Sequence, residues 1–454
     1  MFSLGKEAAL AASLATRQRL SALKRIIPLA QVTAALRRAG SDRRVCLRTG
    51  DAFMVWFVIA LGLFCNDCYR QVFRWLTPWS KGGVPQRSTL CEARQRLGVR
   101  VLVQLAATVV QLLGEPTMAG AFYAGLRLMA VDGFTVDLPD RPLLERLFGR
   151  PKNGRSPGAF PQAQVLGLVE VGTHVFWKWV IKGCRVDENT MLPPLLKHLT
   201  AGMLLLWDRG FASFQGVRQV TDRGAHLLAR WKKNRILPVF RRLSDGSYLT
   251  YIYENVRDRR QRRNGLLVRI IEYTLADPNL PGQRERHLLL TTLLDEQAHP
   301  AKVLVELYHA RWEEELAIDE LKTHEMERPV LRSQTPGGVV QELYGLLLAH
   351  YVLRTLMCQA AQQKGISPLR MSFTGTLKIL RCRLPECPPT PIGRGFWWQR
   401  LLAEIAEEQL PPRRHRINPR VIRRQQSKWP KKRPHHRHTP PPPGPFAESI
   451  HVLR

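Results

Sequence analysis

The sequence predicts a mixed α/β protein with a helical N-terminal domain, and three observations favour this class. The first 115 residues carry apolar residues at three- and four-residue spacing, which is typical of packed helices. From residue 126 onward, short apolar runs alternate with helical stretches, which indicates a mixed sheet flanked by helices. Residues 233–287 differ from both, and we interpret their β-rich pieces as an insertion.

The composition indicates a globular protein with a polyanionic partner. The chain has 454 residues, with 69 Lys and Arg against 37 Asp and Glu, which gives a net charge of +32. Hydrophobic residues make up 44%, which excludes wholesale disorder. A positive charge of this size indicates a polyanionic partner, and the commonest polyanion is nucleic acid. An anionic membrane surface is the competing interpretation.

Segment length argues against a membrane protein. The longest apolar run, Phe53–Cys65, has 13 residues, whereas a span needs about 20. We interpret this run as a buried core helix. The N-terminus lacks the apolar stretch of a secretory signal, so we expect a cytoplasmic protein with reduced cysteines. Cys65 and Cys68 have the CxxC spacing found in zinc sites, but no second CxxC pair follows, so we expect both cysteines to be structural.

The N-terminal domain is predicted to consist of helices. They are Ile27–Ala39, Ala52–Cys65 and Tyr69–Leu76, followed by a pattern that is broken at Gly98 and ends near Leu113. Arg94 and Arg96 lie near the start of that last pattern. This arrangement fits a helix-turn-helix-like DNA reader, and an ordinary helical domain with solvated arginines fits equally well.

Two aspartates follow apolar runs that are predicted to be strands. Leu128–Val131 runs into Asp132, and a second strand is predicted at Thr135–Leu138. The wholly apolar Met203–Trp207 runs into Asp208. Sites in α/β sheets are assembled at strand ends, although an isolated Asp there is usually a turn former or a helix cap.

The remaining strands are predicted from short apolar runs. In the sheet they are Val165–Val169, Val175–Val180, His226–Trp231 and Leu288–Leu294. In the insertion they are Ser247–Glu254 and Leu266–Leu275, on either side of the charged turn Arg257–Asn264.

A third candidate acid lies on a helix predicted for Ala301–Glu325. At 3.6 residues per turn, one face of this helix carries a polar stripe roughly 60° wide. The stripe holds Tyr308, Arg311, Glu315 and Lys322. Glu313 and Glu314 fall off it. A salt-bridged, solvated face is the alternative explanation, because Arg311 and Glu315 are four residues apart.

A basic tail is predicted after residue 410. Residues 411–438 contain eleven Lys and Arg and no acid, and Pro440–Pro443 follows. Such composition is typical of disorder. We expect the tail to contact phosphates, while solvated, nonspecific charge is the alternative.

Together these motifs resemble the insertion-element-4 family of DDE transposases, whose catalytic domain is similar to ribonuclease H. That family carries a Tyr-x2-Arg-x3-Glu-x6-Lys signature, and every spacing is matched on the stripe. Its first acid lies in an Asp-Gly-Thr-like turn, matched at Asp132 with Phe134 in place of the usual Thr. The family's second acid lies in an Asp-Arg-Gly-Phe-like turn, which is matched by Asp208–Phe211. Asn418–Arg420 resembles the family's C-terminal pattern. The resemblance covers about residues 25–430.

The resemblance implies a ribonuclease H-like mixed sheet flanked by helices, interrupted by the β-rich insertion and preceded by the helical N-terminal domain. We therefore expect a catalytic core in two parts, 116–232 and 288–375. The other predicted domains are a DNA-binding domain at 1–115, the insertion at 233–287, a helical region at 376–410 and the tail at 411–454.

The resemblance also implies the chemistry. Asp132, Asp208 and Glu315 are expected to be the catalytic residues and the metal ligands. Hard divalent cations prefer oxygen ligands, and two ions about 3.5–4 Å apart can stabilise both the attacking and the leaving oxygen of a phosphodiester displacement. We expect two Mg²⁺ ions in each active site, for which Mn²⁺ can substitute.

Several DNA contacts follow from the same resemblance. Arg311 and Lys322 are expected to bind phosphates near the scissile bond, and Tyr308 to contact phosphate near the cleaved end. Further DNA-binding candidates are Arg209, Arg230, Lys232, Trp312 and His287. Surface charge is the alternative role for the three cations.

One position departs from some relatives. They place a Trp before the signature helix, where it stacks a flipped base during hairpin formation, and His287 occupies that position here. Tyr248, Tyr251 and Tyr253 are other stacking candidates, although core packing is the ordinary role of such a trio.

The predicted function is that of a DNA transposase of a bacterial insertion sequence, in the cytoplasm and associated with the nucleoid. It would bind terminal inverted repeats as a homodimer on paired ends, cut them and join the 3′ ends to target DNA. The family implies cut-and-paste movement through a hairpin. Two alternatives stay open: a ribonuclease H-like nuclease without strand transfer, and a catalytically silent DNA-binding regulator.

Overall fold

The computed structural model describes residues 21–41, 50–77, 83–153, 156–232, 237–276, 285–309, 312–388, 390–411, 448 and 450–453. The predicted mixed α/β class is confirmed, because helices accompany an 11-stranded sheet with parallel and antiparallel pairs. The chain divides into two compact units, each built from three stretches. Unit 1 contains residues 1–124, 131–195 and 313–410, and unit 2 contains residues 125–130, 196–312 and 411–454.

The described N-terminal residues form helices α1 to α6. They are Ser21–Ile26, Leu29–Ala39, Asp51–Leu63, Tyr69–Leu76, Arg87–Leu97 and Arg100–Val109. All 13 residues of α3 are buried, as predicted, because a helix that is apolar on every face is stable only inside a core. The predicted break is also confirmed, since Gly98 ends α5 with a φ of +69°.

Arg94 on α5 is buried, which contradicts its proposed place on a solvated or DNA-reading surface. Its guanidinium donates to the Ser333 hydroxyl at 3.0 Å and also contacts the Tyr69 hydroxyl and the Gly338 carbonyl. Arg96 lies 3.7 Å from Asp51. Arg94 therefore ties helices of unit 1 together and is not available to DNA.

The strands are labelled β1 to β13 in chain order. They are Phe122–Tyr123, Leu126–Asp137, Lys152–Asn153, Ser156–Pro157, Gln162–Glu170, Val175–Gly183, Met203–Trp207, His226–Arg230, Arg241–Arg242, Tyr248–Ile252, Leu266–Leu275, His287–Thr291 and Ile450–Val452. The sheet order is β6-β5-β2-β7-β8-β12-β11-β10-β9, with β1 beside β2 and β13 beside β11. The short strands β3 and β4 pair with each other.

Parallel pairing is found at β7, which is buried along its whole length in unit 2. It pairs in parallel with β2 on one side and with β8 on the other. The insertion strands β9, β10 and β11 pair antiparallel, as do β11 with β12 and β12 with β8. In unit 1, β5 and β6 form an antiparallel hairpin.

The strand β2 is continuous, whereas two strands were predicted at Leu128–Val131 and Thr135–Leu138. The prediction was wrong because Gly133 has no positive φ and makes no turn. Asp132 therefore lies inside a strand and not at its end.

The remaining helices are α7 to α16. They are Pro142–Phe148, Glu188–Met191, Pro193–Leu196, Phe214–Thr221, Val256–Gln261, Ala301–His309, Trp312–Asp319, Pro336–Lys364, Phe373–Arg383 and Pro391–Glu407. A π-helix at Glu320–Glu325 directly follows α13. The prediction of one regular α-helix at Ala301–Glu325 is thus wrong beyond Asp319, because the hydrogen-bond spacing widens there.

The basic tail lies mostly outside the described residues, and so does Asn418–Arg420. The expectation of disorder is wrong at its end, where Ile450–Val452 forms β13 against Tyr273–Leu275. Among the described helices, none combines the length and the apolar character needed to cross a membrane. The seven cysteines in the described part of the chain are free thiols.

Candidate active site

A cavity of about 330 Å³ surrounds Asp132 in unit 1. It is lined by Asp132, Gly133, Phe134, Thr135, Glu188, Ile318 and Lys322. The cavity therefore combines two carboxylates and one ammonium group. Two of its lining residues, Asp132 and Lys322, were predicted to act on DNA.

The local backbone orients Asp132. Its Oδ1 accepts a hydrogen bond of 2.8 Å from the Gly133 amide. Gly133 has no side chain where Glu188 approaches, since a Cβ there would lie 3.0 Å from Glu188 Oε1 and 3.3 Å from the Val165 carbonyl oxygen. A side chain at position 133 would therefore need Glu188 and its neighbours to move by a few tenths of an ångström.

Glu188 is a site residue that the sequence analysis missed. Its Oε1 accepts a hydrogen bond of 2.7 Å from Gln164 Nε2. It is the first residue of α8, whose preceding residue Asp187 caps the helix through the Asn189 amide at 2.7 Å. The Asp-Glu pair resembles an ordinary helix start, so its spacing held no signal of a role beside Asp132.

Asp208 lies in unit 2, immediately after β7. It precedes a 3₁₀ turn, Arg209–Phe211, and its side chain makes no cap hydrogen bond to that turn. Asp208 and Arg209 are both exposed. The preceding Trp207 is fully buried, and its carbonyl oxygen lies 3.4 Å from the Tyr308 hydroxyl. The apolar strand is therefore anchored while the acid that follows it faces solvent.

Tyr308 is only 5% exposed, so the structure gives it a supporting contact beside Asp208. Arg311 lies outside the described residues. Glu315 is on α13, but its side chain is not among those described, and the same holds for Trp312. Lys322 is on the π-helix and is half-buried in the Asp132 cavity.

The other predicted DNA contacts lie in unit 2. His287 is buried, its Nδ1 is 2.8 Å from Arg230 Nη2, and its ring lies 5.2 Å from the ring of Tyr273. Lys232 is exposed. The three insertion tyrosines divide, because Tyr248 is buried with its hydroxyl 2.9 Å from Glu272, whereas Tyr251 is 36% exposed.

Among the side chains that the structure describes, no group of three His, Cys, Asp or Glu is arranged to hold a metal ion. The Glu315 carboxylate is not one of those side chains.

Comparison with known sequences decides the family. A sequence model of the transposase DDE domain matches residues 123–352, which is just over half of the chain. The chain belongs to the DDE transposases. A second model, of the insertion element 4 transposase N-terminal domain, matches residues 17–106 of this transposase. The predicted recognition as an insertion-element-4 family member is confirmed.

Two related sequences agree with this assignment. The transposase is 28% identical over 389 residues to transposase InsG for insertion sequence element IS4 of Escherichia coli K12, covering 83% of this chain and 86% of that protein. It is 26% identical over 191 residues to the putative transposase InsZ of the same strain, covering 40% and 62%. A cryo-EM structure of piggyBac transposase in a synaptic complex with hairpin DNA matches with a TM-score of 0.45 and 11% identity, over 86% of this chain and 85% of that chain.

The predicted enzyme class is therefore confirmed. The protein is a DNA transposase, and its DDE domain makes it an enzyme that depends on a divalent metal ion. Its partner is DNA.

Proposed function

We propose that this transposase cuts DNA at the terminal inverted repeats of an insertion sequence, with Asp132, Asp208 and Glu315 as one catalytic set. The register of two parallel strands carries the proposal. β2 and β7 pair Ala130 with Leu206, and each aspartate stands two residues after its paired residue. Because both acids occupy equivalent positions in the register, the pairing supports assigning them to one set.

The helix that carries Glu315 supports the third assignment. Glu315 precedes Ile318 by three residues on α13, and Ile318 lines the Asp132 cavity. Positions three or four residues apart share one face of a helix. The chain therefore gives Glu315 a backbone position on the same helix face as a residue that lines the cavity.

The proposed ligands fit a hard cation, since all three are carboxylates and hard divalent ions prefer oxygen donors. We propose Mg²⁺, which when bound would stabilise charge on the attacking and leaving oxygens of the phosphodiester. Glu188 is a second carboxylate that lines the cavity beside Asp132.

The chain's own cations act on the DNA phosphates. Lys322 offers a compact point charge inside the cavity, and Arg209 offers an exposed guanidinium directly after Asp208. We propose that Lys322, Arg209 and Arg311 hold the phosphates around the scissile bond, so that the reacting atoms are aligned before cleavage.

The catalytic set is tested with isosteric variants. Asp132→Asn, Asp208→Asn and Glu315→Gln should each slow Mg²⁺-dependent cleavage of end-containing DNA by at least about a hundredfold, because each removes one charged oxygen ligand. Glu313→Gln is the matched control, two residues from Glu315 on α13, and should cleave within about twofold of the wild type. Wild-type rates in all three acid variants would refute the assignment.

We propose further that the freed 3′ ends are joined to target DNA by a homodimer on paired ends. Precleaved ends should be joined to a target plasmid in Mg²⁺, and the mass of the protein–DNA complex should correspond to two chains. Cleavage without any joining would instead identify a ribonuclease H-like nuclease.

A further inference from the structure

A buried ion cluster of unit 1 holds the helix that carries Lys322. This Glu320 cluster consists of Glu320, His174, His350 and Arg354. His174 Nδ1 lies 3.0 Å from Glu320 Oε1, and Arg354 Nη1 lies 3.3 Å from the same oxygen. His350 Nε2 lies 3.4 Å from Glu320 Oε2. The three partner side chains are at most 1% exposed.

The partners of Glu320 are themselves fixed by other contacts. Arg354 Nε donates a hydrogen bond of 2.5 Å to the Thr173 carbonyl oxygen. The His350 ring packs 5.5 Å from Phe176 and 5.4 Å from Phe373. A buried charge tolerates little displacement from its partners, so these contacts strongly restrict where the Glu320 carboxylate can lie.

The Glu320 carboxylate is ionised in this environment. Burial raises its pKa, but Arg354 and His174 lower it by more, so the pKa lies well below its usual range. The cluster is thus a charged anchor and not a set of neutral hydrogen bonds.

The anchor coincides with a change of helix type. The π-helix begins at Glu320, and its i→i+5 hydrogen bonds turn the following residues differently from an α-helix. Lys322 lies two residues further on and lines the Asp132 cavity. Residues two apart on a helix do not face the same way, so the cluster holds one side of the helix while Lys322 occupies another.

We propose that Glu320 is a positioning residue of the transposase, which fixes the start of the π-helix and thereby the rotation of Lys322 toward Asp132. It acts through Lys322 and does not touch the DNA. The inference rests on the proposed function, because it places Lys322 beside the scissile phosphate.

The first test changes the charge of Glu320 without changing its shape. In the full chain, Glu320→Gln should slow cleavage of prebound DNA ends about tenfold, since small misplacement of a phosphate-binding group is costly. Affinity for the same DNA without divalent metal should change less than twofold. Glu325→Gln is the matched control, because Glu325 is a second buried carboxylate of the same π-helix, and it should cleave within twofold of the wild type.

The second test asks whether Glu320 acts through Lys322. In a double-mutant cycle, Glu320→Gln should lower the cleavage rate less than twofold in a Lys322→Ala background, because the side chain that Glu320 positions has been removed. A merely structural role would give the same tenfold loss in both backgrounds, and that result would overturn the proposal. An unchanged rate for Lys322→Ala itself would overturn it as well.

A milder variant covers the case in which Glu320→Gln fails to fold. His350→Gln keeps a donor near Glu320 Oε2 and should give a smaller loss with the same dependence on Lys322. These outcomes are separate from those of the proposed function. Suppose that Asp132→Asn abolishes cleavage but the effects of Glu320→Gln and Lys322→Ala are fully additive. The positioning role of Glu320 would then be refuted, while the proposed catalytic set would stand.

Discussion

Two carboxylates of the π-helix, the largely buried Glu320 and the fully buried Glu325, have opposite pKa shifts. The Glu325 oxygens have no hydrogen-bond partner among the residues that the structure describes. Burial raises the pKa of Glu325 well above its usual range, whereas the partners of Glu320 lower that pKa. The pKa of the same residue type is therefore raised at one end of the π-helix and lowered at the other.

The raised pKa of Glu325 predicts a pH-dependent stability. A group with a raised folded pKa stabilises the fold below its unfolded pKa of about 4.5 and loses that contribution as pH rises through the folded pKa. Glu325→Gln removes this titration. Its free energy of unfolding in urea, relative to the wild type, should therefore increase from pH 5 to pH 8.

A control for this measurement is Glu92→Gln, which makes the same chemical change at an exposed position on α5. Its difference from the wild type should stay constant across the same pH range. A Glu325→Gln difference that is equally flat would mean that the pKa of Glu325 is not raised in the folded protein.

Close helix packing is the main feature at the scale of elements. α3 and α14 meet at two glycines of unit 1, Gly62 and Gly345. A Cβ at Gly345 would lie 2.4 Å from the Val58 carbonyl oxygen, and one at Gly62 would lie 2.7 Å from the Gly345 carbonyl oxygen. These distances are too short for any side chain, so the helices pack backbone to backbone.

Gly345→Ala should therefore destabilise the protein by about 1–3 kcal/mol, because the added methyl group must push the two helices apart. Urea unfolding measures this. Gly395→Ala on α16 is the matched control, since no atom lies within 4 Å of its Cβ. It should raise stability by up to about 1 kcal/mol through helix propensity. Equal effects at both positions would contradict the close crossing.

The elements also show what a sequence can predict. β7 was predicted at Met203–Trp207 and has those bounds, because five consecutive apolar residues indicate a strand buried on both faces. α3 was predicted for the same kind of reason. Local composition is sufficient where burial alone selects the structure.

The site was less predictable because its geometry depends on distant residues. The π-helix begins at Glu320, whose partners lie 146, 30 and 34 residues away in the chain. A stripe calculated at 100° per residue could not include that change. Glu188 was missed because it shares the cavity with Asp132 only through tertiary packing at Gly133, and Asp132 was placed at a strand end because the apolar run before it stops there.

At the scale of the whole molecule, we expect the net charge of +32 to make DNA binding strongly dependent on salt. We expect log K to fall linearly with log salt, with a slope of about −0.9 for each phosphate that is neutralised. Fluorescence titrations between 50 and 200 mM salt measure it. Lys322→Ala should make the slope less steep by about one. A flat response in the wild type would show that the basic surface does not touch the DNA backbone.

The strand β2 belongs to both compact units, and this affects how a fragment of the protein would behave. Its residues 126–130 belong to unit 2, whereas the strand continues into unit 1. A fragment spanning 196–312 would hold most of unit 2 but would leave β7 without the neighbour that pairs with it from Arg127 to Ala130. The bare edge of Met203–Trp207 would then recruit other chains. Expression of that fragment should give aggregates, and a soluble version of the fragment would need residues 126–130 to be added back.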